Sequence, residues 1–119
     1  MDFNTLRTYL LSKPGAVEDF PFDTVTLVVK VGGKMFALVG IDEEPLRLNL
    51  KALPEQAEVL RELYPAVIPG YHMNKRHWNT VILDGSLPDE EVQGMIDESY
   101  RLVVQGLPRA RRPAVPGSR

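Results

Sequence analysis

The run Thr24-Val25-Thr26-Leu27-Val28-Val29-Lys30-Val31, then Gly32-Gly33, then Lys34-Met35-Phe36-Ala37-Leu38-Val39-Gly40-Ile41 reads as a β-hairpin. Both arms are rich in β-branched and apolar residues, and a Gly-Gly pair takes the positive φ angles of a two-residue primed turn. A loop of that length sets Val31 opposite Lys34, Val29 opposite Phe36 and Leu27 opposite Leu38. These pairs are expected on the core face, with Thr26, Val28 and Lys30 beside Met35, Ala37 and Val39 on the other.

On the N-terminal side, residues 2–13 have the period of an amphipathic helix, with Asp2 or Asn4 as N-cap and Phe3, Leu6 and Leu10 inward. Lys13-Pro14-Gly15 stops it. Glu18-Asp19-Phe20-Pro21-Phe22 fits a short edge strand or an extended loop, since Pro21 has no N–H for a ladder. Beyond the hairpin, Asp42-Glu43-Glu44-Pro45 is a solvated turn and residues 47–51 alternate as a half-buried strand, with Arg47, Asn49 and Lys51 outward. A helix is expected over 54–64, with Pro54 at its first position and Ala57, Leu60, Leu63 and Tyr64 inward. A strand follows at 78–83, where Val81 and Leu83 compete with Trp78 and Ile82 for the buried face. The last helix spans 88–106, burying Val92, Met95, Ile96, Ser99 and Val103 before Gly106-Leu107-Pro108 ends it. The sum is an α+β domain over residues 1–107, an antiparallel sheet with its helices on one face, followed by a flexible basic Pro/Arg tail at 108–119.

The chain has 119 residues, 44% hydrophobic and 25% charged, which is the composition of one folded domain. It has no cysteine, so disulfides, thiol nucleophiles and thiolate metal sites are excluded. Met1-Asp2-Phe3-Asn4 carries an acid where a signal peptide carries positive charge, and no apolar run is long enough to span a bilayer; a cytoplasmic protein away from membranes is expected. Charge is unevenly spread. All 16 acids lie in residues 1–98, while residues 99–119 hold five arginines and no acid. An acidic body counts against a strong generic nucleic-acid binder and leaves room only for a local patch.

That patch is sought in Pro69-Gly70-Tyr71-His72-Met73-Asn74-Lys75-Arg76-His77-Trp78-Asn79-Thr80. Both histidines and the only tryptophan lie in it, and there is no acid from Leu63 to Leu83. Lys75 and Arg76 suit phosphate, Asn74 and Asn79 suit base edges, and Tyr71, His72, His77 and Trp78 offer faces for stacking. Lys30, Arg47, Asn49 and Lys51 extend the patch across the sheet. The structural alternative makes Trp78 and Tyr71 core aromatics and the charges a solvated loop.

The run Phe20-Pro21-Phe22, the hairpin from Lys30 to Leu38, Leu48-Asn49-Leu50-Lys51, the segment Val67 to Thr80 and Asp97-Glu98-Ser99-Tyr100 together resemble the MmcQ/YjbR family. The resemblance spans nearly the whole chain up to about Leu107. It implies a small α+β domain of the frataxin-like or double-wing kind, also likened to secretion chaperones, and it carries a DNA-binding label that rests on fold analogy. It brings no catalytic residues with it.

Other chemistries fit less well. His72 and His77, five residues apart with Asn74 between them, match no familiar zinc spacing. Asp89-Glu90-Glu91, the acids a frataxin analogy would use for iron, are accounted for by the helix dipole. Ser12, Ser86, Ser99 and Ser118 lie in no nucleophile elbow, and Gly32-Gly33 is no phosphate loop. The expectation is therefore a non-enzymatic binding domain without metal or cofactor, monomeric or homodimeric, whose partner is nucleic acid. The alternatives are a protein or peptide, as for a secretion chaperone, or a small molecule in a pocket lined by Tyr71, His77 and Trp78.

Overall fold

The computed structural model describes residues 1–70 and 73–114. Its elements run α1 (Phe3–Leu11), β1 (Val17–Asp19), β2 (Thr26–Val31), β3 (Lys34–Gly40), β4 (Arg47–Lys51), α2 (Pro54–Leu63), β5 (Val67–Pro69), β6 (Trp78–Ile82), α3 (Asp89–Gln105) and a 3₁₀ turn at Arg109–Arg111. The strands form one sheet in the order β1-β2-β3-β4-β6-β5, antiparallel throughout. This is the expected α+β domain. β5 is a strand that periodicity did not disclose, three residues long and ending in a proline that only an edge tolerates.

The helices share one face. Leu6 and Leu10 of α1 and Val92, Met95, Ile96 and Val103 of α3 join Leu27, Val29, Val31, Ala37, Val39, Leu48, Leu50, Val67 and Val81 in one buried cluster. α3 lies over β2, β3 and β4, and α2 over β5 and β6. Asp2 caps α1 by accepting from the Thr5 N–H at 2.8 Å, as a short polar side chain at that position does. Val81, 1% exposed, takes the core side of β6. No helix among the described residues is long and apolar enough to cross a membrane.

The hairpin turn is as expected, with Gly32 and Gly33 at φ 57° and 83° and Val31 opposite Lys34. The register beyond it is not. After Lys30↔Met35 the ladder shifts, so that Val29 faces Ala37, Val28 faces Leu38 and Leu27 faces Val39. Phe36 is the extra residue of a β-bulge, which reverses the parity of the rest of β3. Ala37 and Val39 therefore point to the helices, and Leu38 to the open face.

The bulge is held from α3. The Ser99 hydroxyl donates to the Phe36 carbonyl at 2.6 Å and accepts from the Lys51 N–H at 2.9 Å, closing the gap between β3 and β4 where their pairing has ended. Tyr100 meets the Phe36 ring edge-on at 5.3 Å and donates to the Pro14 carbonyl at 2.6 Å. Asp97 accepts from the Tyr9 hydroxyl at 2.5 Å and pairs with Lys13, while Glu98 pairs with Arg101. Asp97, Ser99 and Tyr100 thus clamp α3 to α1, to the sheet and to the loop after α1, while the Glu98 pair lies within α3.

In α2, Leu63 is 62% exposed, against expectation. The helix turns Ala57, Leu60, Arg61 and Tyr64 inward instead, because Arg61 finds acceptors beneath the helix that Leu63 could not use. Past α3, Leu107 is 3% exposed, and Arg112 donates to the carbonyls of Leu107 and Gln105 at 3.1 and 3.0 Å. A Cβ on Gly32 would lie 2.5 Å from Leu107 Cδ1 and 2.9 Å from the Arg111 carbonyl oxygen, so the start of the basic segment packs on the hairpin turn.

Candidate functional site

Alternation in β4 sets the open face. Leu48 and Leu50 are buried under the helices, and Arg47, Asn49 and Lys51 project to the other side. Across the ladder Lys51 faces Trp78 and Asn49 faces Thr80. Lys30 shares this face from β2. All four sheet residues expected outward are outward.

The five cations of the sequence reading do not all converge. Lys30 lies 3.5 Å from Asp19. Arg47 lies 3.7 Å from Glu43, four residues from Lys51 along β4 and so roughly 13 Å away at strand spacing. Lys51, Lys75 and Arg76 have no carboxylate within 4.0 Å among the described residues. Lys51 and the turn bearing the other two lie at the same end of the sheet. The turn that carries Lys75 and Arg76 leads directly into β6, and its His77 carbonyl accepts from the Ala52 N–H at 2.8 Å, beside Lys51.

The turn is built from within. The Asn74 carbonyl accepts from the N–H groups of His77 and Trp78, and its side-chain oxygen accepts from the Arg76 N–H at 3.0 Å. Asn74 is therefore a turn former whose Oδ1 is already occupied. Gly70 N–H donates to the Trp78 carbonyl at 2.9 Å, and a Cβ on Gly70 would sit 3.0 Å from Trp78 Cβ, so a side chain there would have to push the facing strand back by a few tenths of an ångström. Trp78 and His77 are half-buried, leaving part of each ring exposed. Asn79 points the other way: it is 2% exposed, accepting from Arg61 Nε at 2.6 Å and donating to the Ala57 carbonyl at 3.2 Å. It holds α2 to β6 and is not presented to a partner. Tyr71 and His72 lie outside the described residues.

Two residues were not foreseen. Arg61 reaches from α2 to Asn79 and to the carbonyls of Lys75 and Trp78. Its acceptors among the described residues are all neutral, so it adds positive charge beneath the turn. Its position at the border of the acid-free stretch was the available signal. Lys34, exposed at the hairpin turn, lines a recess of about 300 Å³ with Met35, Lys51, Trp78 and Leu102. Pairing it with core-facing Val31 had hidden it.

A larger concavity occupies the middle of the open face. It measures about 590 Å³, with Leu38, Asn49 and Thr80 along its floor, Phe22 and Met73 at its sides, and Arg47, Glu43 and Asp23 toward one end. Phe22 is 65% exposed and its neighbour Phe20 45%. A third recess, about 170 Å³, opens between α2 and α3 beside Gly94.

The family model for YjbR matches residues 11–102. The chain is 40% identical over 112 residues to the uncharacterized protein YjbR of Escherichia coli (strain K12), covering 94% of this chain and 95% of that one. It is 34% identical over 103 residues to the uncharacterized protein YbdF of Escherichia coli O157:H7, covering 87% and 84%. The crystal structure of the Deinococcus radiodurans protein DR2400, with its DUF419 domain, superposes with a TM-score of 0.86 at 42% identity, covering 98% of this chain and 94% of that one.

Proposed function

The chain belongs to the YjbR family, and from that premise we propose that it is a cytoplasmic, cofactor-free, non-catalytic domain that binds nucleic acid through the basic-aromatic end of its sheet. One observation carries the reading: Lys51 and the turn bearing Lys75 and Arg76 stand at one end of the sheet with no carboxylate within 4.0 Å of these cations among the described residues, above Arg61 and beside the partly exposed rings of Trp78 and His77. Cations held apart from acids attract phosphate, and an adjacent ring supplies a sequence-tolerant stacking surface. The patch is narrower than five cations, which suits weak binding against an acidic body.

Salt dependence tests it. Three phosphate contacts on a single strand give a log–log slope of about −2, and each of Lys51→Ala, Lys75→Ala and Arg76→Ala should make it shallower by roughly 0.7. Absence of binding to any oligonucleotide at low salt, or a slope unmoved by all three substitutions, refutes the proposal.

A second reading has its own observation. Leu53, Val59 and Leu63 expose apolar side chains on and beside the outer face of α2, at 52%, 44% and 62%, which favours a protein partner there. Val59→Glu together with Leu63→Glu would abolish such an association and leave oligonucleotide binding unchanged.

A further inference from the structure

We propose that the central concavity of the open face receives an unpaired base of a single-stranded nucleic acid, whose phosphates lie on Lys51, Lys75 and Arg76. This rests on the reading above and names its substrate as unpaired strand rather than duplex.

Continuity is the first argument. Met35 lines both the concavity and the basic recess beside Trp78. Asn49 and Lys51 are two residues apart on the same face of β4, and Thr80 and Trp78 are two apart on the same face of β6. A chain with its phosphate at the lysine end thus needs only a short reach to place its base over Asn49.

Lining chemistry is the second. Phe22 offers a ring face, and Met35, Met73 and Leu38 supply adaptable apolar contact, with thioethers that pack well against aromatic rings. Asn49 Oδ1 accepts from the Thr80 hydroxyl at 2.5 Å, so its Nδ2 group, which has no protein partner among the described residues, is left to donate to a ring nitrogen or carbonyl of a base. The site is a donor at an apolar floor, which is what a heteroaromatic ring with acceptors requires.

Charge gives the direction. At the end away from Lys51, Arg47 is paired with Glu43 and Asp23 leaves that end net negative, so the backbone is held to the cationic end while the base enters the cleft. Shape gives the strandedness. The floor lies below the side walls, and a base stacked inside a duplex cannot reach it without leaving the helix.

The experiment measures the full chain at low salt, by fluorescence anisotropy, against a mixed-sequence 12-mer, its duplex and a nucleoside monophosphate. Phe22→Ala removes an exposed ring and leaves the fold intact. It should weaken single-strand binding by roughly five- to a hundredfold, the range of one lost stack, with the salt slope and duplex binding unchanged. Asn49→Asp, which puts a carboxylate where the donor was, should also weaken the single strand. If single strand and duplex bind alike and Phe22→Ala matches the parent protein, the cleft assignment is overturned while the cationic patch stands. A nucleoside monophosphate as tight as the 12-mer overturns the strand in favour of free nucleotide. An apolar peptide that fills the cleft without displacing the 12-mer overturns the base in favour of peptide, and no binding by any probe overturns both readings.

Discussion

Ser99→Ala should destabilise this domain far more than the loss of one hydroxyl on a helix normally does. Ser99 is fully buried, and its oxygen serves two backbone groups at once, the Phe36 carbonyl at 2.6 Å and the Lys51 N–H at 2.9 Å. Neither has a ladder partner, because the β3–β4 pairing ends at Ala37↔Leu50. Orphaning a buried backbone carbonyl costs about 1–3 kcal/mol, and the Lys51 N–H, only partly buried, adds about 0.5–1.5. Alanine returns roughly 0.5 through its better helix propensity. The net loss is about 1–4 kcal/mol, centred on ~2.5, a large part of the roughly 5–15 kcal/mol that holds a domain this size. Urea unfolding followed by Trp78 fluorescence and circular dichroism should show a midpoint lower by about 1–2 M with an unchanged slope, and thermal unfolding a fall of about 10 °C. Ser99→Cys, a weaker donor of similar size, should fall between. An alanine variant within about 0.5 kcal/mol of the parent would show that the two backbone groups are satisfied without Ser99, and the account of the bulge would fail.

Three other outcomes follow from the same geometry. Arg61→Ala should cost about 2–3 kcal/mol, since Asn79, 2% exposed, and the Lys75 carbonyl lose a charged donor; Arg61→Lys should restore little of it for want of the planar fork, and amide exchange at His77 and Trp78 should quicken in both. Gly94→Ala should stabilise α3 by about 0.5–1 kcal/mol, because a Cβ there meets nothing within 4 Å and the residue sits in a helix interior; a lower unfolding midpoint would contradict this. On acidification, the N–H groups of Val25 and Thr5 hold Asp23 and Asp2 below the ordinary 3.8, and Arg7 and Arg101 hold Glu18 and Glu98 below 4.5. Depressed carboxylates stabilise the fold above those ordinary values and cease to as pH falls through the lower folded ones, so urea midpoints should hold down to about pH 5 and drop below about pH 4. A profile flat to pH 2 would remove these contacts from the account.

Helix α3 was legible residue by residue. Val92, Met95, Ile96, Ser99 and Val103 recur at helical spacing, and the fold buries them. The hairpin turn was legible too, because two glycines in sequence permit few other conformations. So was the outward face of β4, where charged and apolar residues alternate without ambiguity. In each case the signal is local, a period or a conformational preference that the chain carries wherever it is placed.

Tertiary structure settled what locality leaves degenerate. Phe36-Ala37-Leu38-Val39 is apolar at every position, so no alternation opposes an inserted residue, and distant contacts such as those of Ser99 and Tyr100, more than sixty positions away, favour the bulged register. Leu63 and Arg61 compete for the inner side of α2, and carbonyls brought beneath the helix by the β5–β6 hairpin resolve it for Arg61. The same holds for the cations: whether a lysine stands free or beside a carboxylate depends on the few ångströms between residues such as Lys30 and Asp19, eleven apart in the chain. Periodicity is inherited from the backbone, whereas register and charge pairing are differences between nearly equal alternatives, and long-range contacts tip them.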